Sequence, residues 1–398
     1  MKTIVKEIQA FNTNRDPDKR ALKYAVMQQN PFRFYRGTCH LFYKHLYTNN
    51  ILPISPLVWA CGDLHLENFG SFKGKDRLVY FDGNDFDEAM LTPATWELVR
   101  LLCSVVVAYN TEIIIKKDTN VLVKAVLNGY MQQLQEGKAM TVEKDTAAGI
   151  IKTLLYSVEL RTETKLLKQH TTNKSNATRF KIDNKKAFTL KAEIKRKVIK
   201  GIKAWLTKKD DGFTYIVHDA IYRLAGTGSI GIQRYAVLVE NTTTQKKIIL
   251  DVKQALPSSL VGFNDIKQPV WQNEAERILQ IQHRMQHICP NWLSTLTIDT
   301  NHFIVKEIQP LADAIDFMTK GNSMQKRAAT MKTLGKLTAA MQLRSSGRQG
   351  SDIADELINF GKDESWHQSL IDYAFSYANQ VQIDYKLFCK ALSKGNIY

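Results

Sequence analysis

Eight side chains able to hold a cation, a phosphate or a proton fall within 26 positions of this 398-residue chain: Asp63, His65, Glu67, Asn68, Asp82, Asp85, Asp87 and Glu88. They interrupt two largely apolar runs, PLVWACGDLHLENFG and LVYFDGNDFDEAM. A carboxylate beside a core strand loses hydration and needs a partner that offsets the cost. Asn68 and Asp85, separated by a strand turn, are oxygen donors that can converge on one hard cation. Mg²⁺ takes a few such oxygens and completes its shell with water and phosphate. Asp87 adds a carboxylate in the same loop. Asp63, five residues before Asn68, stands beside that cation without having to ligate it, where a general base for a hydroxyl proton belongs. His65 can act as base, ligand or hydrogen-bonded structural histidine. A solvated Asx-rich loop would use the same residue types, yet the flanking apolar runs speak against one.

A second cluster, AGTGSIGIQRYAVLVE, carries Gly226, Gly228, Ser229 and Gly231. Without a Cβ the backbone can bring its N–H groups against phosphates. A dinucleotide fingerprint needs a helix directly after the glycines. Here a β-branched run follows, so the spacing predicts strand, loop, strand. Lys253, in LDVKQA on the next strand, can reach the phosphates from below the loop. Glu276, in the helical pattern EAERILQIQHRM, can pair with it, with Glu274 as the alternative.

The elements that must position these residues read as follows. The first 50 residues alternate helical patterns with polar breaks, and short strands occupy the acid-rich segment. A helix follows over 92–117, with Thr92 as its cap and Pro93 in its first turn. Residues 117–205 are helical and increasingly basic, with a polar surface loop near 170–177. A hairpin turns at NTTTQ, a strand pair LSTLTI and HFIVKEI ends at Pro310, and the chain is helical from about 324. This succession is an α+β fold.

Composition narrows the partners. Hydrophobic residues at 44% and charged residues at 24% belong to a folded globular chain and exclude collagen-like or disordered classes. No apolar run reaches membrane-spanning length. The polar N-terminus lacks the apolar core of a secretory signal, which points to the cytoplasm, although specialised export of an effector would leave no such mark. Cys39, Cys61, Cys103, Cys289 and Cys389 are odd in number and widely spaced, as expected of free thiols. The net charge of +16 favours anionic partners. Residues 161–203 carry 14 of the basic residues against three acids, either a solvated lysine-rich face or a surface for an anion such as nucleic acid.

On these residues a resemblance can be stated. GDLHLENFG and NDFDEAMLTPATWELVRL resemble the catalytic and metal loops of aminoglycoside phosphotransferases, in the kinase-like superfamily. NPFRFYRG, GTGSIGIQRY, LDVKQALPS, ERILQIQHRMQ and YANQVQIDY extend the resemblance over most of the chain to the bacterial domain-of-unknown-function family 2252. It implies Asp63 as catalytic base, Asn68 and Asp85 as metal ligands, residues 226–231 as the phosphate-covering loop and Lys253 with Glu276 as an ion pair. Its cofactors would be ATP and Mg²⁺. Two departures stand out. Cys61 replaces the histidine of many kinase catalytic loops, and the catalytic and metal loops precede the glycine loop. A circularly permuted, two-lobed kinase-like fold would reconcile that order. Its helical lobe would be residues 1–205, its β-rich nucleotide lobe 215–310, and helices over 320–398 would pack back on the first lobe. The function expected is Mg·ATP-dependent phosphotransfer to a hydroxyl-bearing substrate. The alternatives are nucleotidyl transfer (AMPylation) on the same fold, or non-catalytic binding of nucleotide or nucleic acid through 161–203.

Overall fold

Polar residues ahead of prolines start the early helices. Asp16 accepts the Lys19 N–H at 3.1 Å with Pro17 in the first turn, and Asn30 accepts the Arg33 N–H at 2.8 Å with Pro31. Each cap satisfies a donor that the helix itself leaves open. The computed structural model describes residues 2–109, 116–174, 177–308 and 322–397. The expected strand end at Pro310, and residues 110–115 of the helix expected over 92–117, lie outside the described residues.

The chain opens with α1 (Lys2–Asn12), α2 (Pro17–Met27), α3 (Pro31–Gly37) and α4 (Cys39–Asn49). The acid-rich segment forms four short strands, β1 (Leu57–Ala60), β2 (Phe69–Lys73), β3 (Val79–Gly83) and β4 (Met90–Pro93). β1 pairs with β4 and β2 with β3, both antiparallel. Then come α5 (Ala94–Tyr109), α6 (Lys116–Glu136), β5 (Val142–Glu143), α7 (Gly149–Glu159) and α8 (Glu163–His170). Thr92 therefore belongs to β4 and does not cap α5. Where a polar loop was expected near 170–177, β6 (Thr171–Lys174) and β7 (Ala177–Phe180) pair antiparallel, with residues 175 and 176 outside the described residues.

β8 (Ala187–Phe188), α9 (Ala192–Leu206), β9 (Tyr215–Arg223), β10 (Arg234–Asn241), β11 (Lys247–Gln254), α10 (Glu274–Met285), β12 (Ser294–Ile298) and β13 (Asn301–Glu307) follow. Six strands form an antiparallel sheet in the order β12-β13-β11-β10-β9-β8. Strand alternation divides its residues between two faces. Val237, Leu250 and Val252 face α9 and bury Val198, Ile202 and Leu206. Ile221, Ala236, Leu238 and Ile249 face the other way, under Phe180 of β7. β8 and α9, which precede the expected boundary near residue 205, thus pair with and pack on this sheet.

The tail forms α11 (Met324–Ser345), α12 (Ala354–Lys362) and α13 (His367–Ser393). α11 and α12 pack on α6, and α13 on α5. α5 is apolar nearly all round, as a helix buried on every side must be. Ala275, Ile278 and Ile281 of α10 join the same core and tie the sheet unit to the helices. Among the described residues no helix is long and apolar enough to cross a membrane.

Candidate functional site

The loop between β1 and β2 carries Asp63, and close packing fixes its position. Gly62 has φ +83°, and a Cβ there would collide with the Glu88 carbonyl, so only glycine lets this loop lie against the acid loop after β3. Tyr43 donates its hydroxyl proton to the Gly62 carbonyl, and the fully buried Glu97 carboxylate accepts the Cys61 N–H. Arg100, also fully buried, donates from Nη2 and Nε to Asp63 Oδ1 at 2.7 and 3.1 Å. Among the described residues no hydrogen bond reaches Oδ2, and His65 Nε2 is 3.9 Å from it. Burial raises the Asp63 pKa, and the Arg100 charge opposes that shift. The result is a carboxylate held by one oxygen and free at the other.

His65 lies between Asp63 and Arg36. Its Nε2 accepts from Arg36 Nε at 3.1 Å, and burial, together with the charges of Arg36 and Arg100, holds its pKa well below the usual histidine range. Neutral His65 therefore orients Arg36, whose guanidinium also binds Glu67.

Asn68 joins the two acid loops. Its Nδ2 donates to the carbonyl of Asp63 at 3.2 Å and to that of Asp85 at 3.1 Å, leaving a buried Oδ1 with no hydrogen-bond partner. An orphaned buried amide oxygen, in the cleft that also holds the Asp85 and Asp87 carboxylates, fits a hard cation such as the expected Mg²⁺, although Lys253 engages both carboxylates. Among the described residues no group of three or more His, Cys, Asp or Glu side chains is placed to hold a metal ion.

Lys253 meets this loop from the sheet. Its ammonium lies 2.8 and 3.1 Å from the two Asp85 oxygens and in direct contact with Asp87. Burial raises the Asp85 pKa, but Lys253 and Lys306 outweigh it and hold the carboxyl far below its ordinary range. Burial and the neighbouring Asp85 charge push Asp87 up to about 6. Burial disfavours the charged lysine, yet the two acids raise the Lys253 pKa and keep it protonated.

The pairing expected between Lys253 and Glu276 does not form. Asn273 caps α10 by accepting the Glu276 N–H at 3.0 Å, and the Glu276 carboxylate turns back to the Gln272 N–H at 2.8 Å, much as in a capping box. Glu274 is taken by Arg277 at 2.6 Å. What α10 sends to the site is Arg277, which donates to the Asp87 carbonyl at 2.8 Å and so holds the acid loop by its backbone.

The glycine loop between β9 and β10 is polarised. Its carbonyls are engaged: Ala225 by Arg234 Nη1 at 3.0 Å, Gly228 by Lys23 Nζ at 3.5 Å, Ile230 by Arg15, and Gly231 by the Asp16 N–H at 3.4 Å. Among the described residues the N–H groups of 225–230 find no acceptor. Gly226 and Gly231, with φ of +73° and +92°, supply the left-handed turns. A loop whose acceptors are used and whose donors are free suits an anion.

All of this opens on one cleft of about 1190 Å³, lined by Asp63, His65, Asn68, Asp85, Asp87 and Lys253 together with Gly226, Gly228, Ser229 and Gly231. Of the residues singled out from the sequence, Asp82, Glu274 and Glu276 do not line it: Asp82 is buried beside Arg344, Glu274 is taken by Arg277 and Glu276 by the start of α10. Sequence reasoning missed Arg100, Asp251 and Lys306. The signal was present for the first two: Arg100 interrupts ELVRLLCSVVV and Asp251 interrupts KKIILDVK, and a charge within an apolar run implies a buried partner.

No curated protein and no solved structure shows a significant match to this chain. Residues 15–391 match the family described as an uncharacterized protein conserved in bacteria (DUF2252), and the chain belongs to that family.

Proposed function

We propose that this protein is a Mg·ATP-dependent phosphotransferase acting on a hydroxyl acceptor, built as a circularly permuted, two-lobed kinase-like fold. The observation that carries the reading is the meeting of Lys253 with Asp85 and Asp87 in the cleft that also holds the glycine loop and Asp63. Catalysis of phosphoryl transfer is mostly positioning and charge compensation, and this set supplies both.

The free N–H groups of 225–230 and the Lys253 ammonium bind the triphosphate. When bound, Mg²⁺ held by Asn68, Asp85 and Asp87 neutralises phosphate charge. Asp63 Oδ2 takes the proton of the acceptor hydroxyl, the acceptor oxygen forms the new bond to the γ-phosphorus, and ADP leaves with the electron pair of the broken P–O bond. Arg100 keeps Asp63 ionised and aimed. Lys253 replaces the usual lysine–glutamate pair with a lysine–aspartate one, so its ammonium stays ordered before ATP arrives.

Thermal-shift titration with ATP, with and without Mg²⁺, tests the binding, and the intact mass of a modified acceptor tests the chemistry. Addition of a phosphate supports this reading, whereas addition of AMP assigns nucleotidyl transfer to the same cleft. A protein that binds no nucleotide in either condition defeats both.

The basic segment supports a second, non-catalytic role. Lys191, just before α9, and Arg196, Lys200 and Lys203 along it are exposed, whereas Lys195 and Lys197 pair with Asp219 and with Glu193 and Asp299. Replacing those four exposed residues by Gln should flatten the salt dependence of nucleic-acid binding. No binding by the wild type at low salt removes this role.

A further inference from the structure

We propose, resting on the nucleotide reading above, that the nucleobase of the bound nucleotide lies on the front of the sheet, against Phe188 and Tyr222, and not on the sheet's underside behind Lys253.

The underside is closed. Strand alternation puts Arg223, Arg234, Asp251 and Lys253 on one face. Asp251 is only 4% exposed and takes Arg234 Nε at 2.9 Å and Arg223 Nη1 at 3.2 Å. Behind this cluster the apolar strip of Ile221, Ala236 and Ile249 is sealed by Phe180. The Phe180 N–H is bound by Asp219 Oδ2 at 2.9 Å, and Asp219 also holds Lys195 at 2.5 Å, so the covering hairpin is fastened at its base. A purine entering there would have to separate a buried ion cluster and lift Phe180, which leaves charges unpaired in a dry site.

α9 covers most of the front, but its end at Phe188 and Tyr222 opens on the cleft and is aromatic. Phe188 pairs across strands with Tyr222, with ring centroids 6.1 Å apart at 67°, and both line the cleft with Leu190, Ile194 and Val198. The Lys19 ammonium sits 4.0 Å from the Phe188 centroid and 5.3 Å from that of Tyr222, and no carboxylate pairs with it among the described residues. Tyr222 donates its hydroxyl proton to the Ile232 carbonyl at 3.2 Å, so this surface begins where the glycine loop ends. A triphosphate under the loop thus has an aromatic and cationic wall at the loop's outer edge. Planar bases stack on such walls whatever their identity.

The test compares ATP with inorganic tripolyphosphate by titration calorimetry. The wild type should bind ATP more tightly than tripolyphosphate. Phe188→Ala should weaken ATP binding by roughly 5- to 100-fold, the range of one base–aromatic stack, and leave tripolyphosphate affinity unchanged. Phe188→Leu keeps the apolar volume without the π-face and should move in the same direction, which serves if the alanine variant folds poorly. Phe180→Ala should leave ATP affinity as it is. Wild-type ATP affinity in Phe188→Leu, or a gain in Phe180→Ala, would overturn the base site while leaving the nucleotide reading intact. Failure of the wild type to bind either ligand would overturn both.

Discussion

Lys253 and Asp85 stand 168 residues apart in sequence, and the lysine ammonium lies 2.8 Å from the aspartate carboxylate. The contact joins the sheet unit to the acid loop across the cleft. On the proposed reading, both side chains exchange this contact for a charged ligand, Lys253 for phosphate and Asp85 for Mg²⁺.

Removing the lysine separates two effects. In Lys253→Met, Asp85 and Asp87 lose their shared cation and repel one another. Nucleotide affinity should fall by more than about 10-fold, the scale of a lost charge-assisted hydrogen bond, and the melting temperature should fall as well. Calorimetric titration beside thermal melts checks this. An unchanged ATP affinity would make Lys253 a structural partner of the acid loop alone.

Asp63 and Arg100 make a pH prediction. Asp63→Asn should bind ATP normally while turnover falls by roughly 10²- to 10⁴-fold. A base works only when ionised, so activity is lost as pH falls through its pKa. Arg100 opposes the upward shift that burial gives Asp63. Replacing it with an uncharged Met raises that pKa and should move the acid limb of the rate profile to higher pH, whereas Arg100→Lys should keep most of the limb in place. Superimposable profiles for the wild type and both Arg100 variants would remove Arg100 from this role.

Asn68 should report the cation. Asn68→Ala loses the orphaned Oδ1 and both bonds to the carbonyls of Asp63 and Asp85. The thermal shift from ATP alone should survive, while the increment from added Mg²⁺ should largely disappear, as should the effect of removing the metal with EDTA. An undiminished Mg²⁺ increment would mean that other oxygens hold the metal.

Glu97 should make stability depend on pH in an unusual direction. Burial raises its carboxyl from 4.5 to about 7, although hydrogen bonds from Gln342 and the Cys61 N–H resist the shift. The folded state therefore keeps a proton that the unfolded state releases above its ordinary pKa. Stability is highest below that value and declines as pH rises towards 7, by roughly 1.4 kcal/mol per unit. Asp82 and Asp87, both raised to about 6, act with the same sign. The urea midpoint should fall between about pH 5 and about pH 8, and Glu97→Gln should flatten that slope. Parallel slopes in the two proteins would show that Glu97 does not titrate in this range.

Much of the site is legible in the amino-acid sequence, because its signals are local. Glycines followed by a β-branched run specify a strand, loop and strand, and alternation in IILDVKQ places Asp251 and Lys253 on one face whatever that face meets. Asp63, Asn68 and Asp85 stand out because carboxylates and amides inside apolar runs need partners. Periodicity tells which face is buried but not against what, and there the tertiary structure decided. Lys253 was open to any acid that the chain could bring to it. Capping drew Glu276 back to the start of α10, Arg277 took Glu274, and the packing of α10 against the helical core left Asp85 and Asp87 as the partners within reach. The same limit applies to α9, whose basic face reads as part of a helical region although its apolar face belongs to the sheet. It applies also to residues 170–180, whose polar composition conceals a hairpin that carries Phe180 onto the underside of that sheet. Burial partners are set by contacts between distant segments, and no local pattern encodes them.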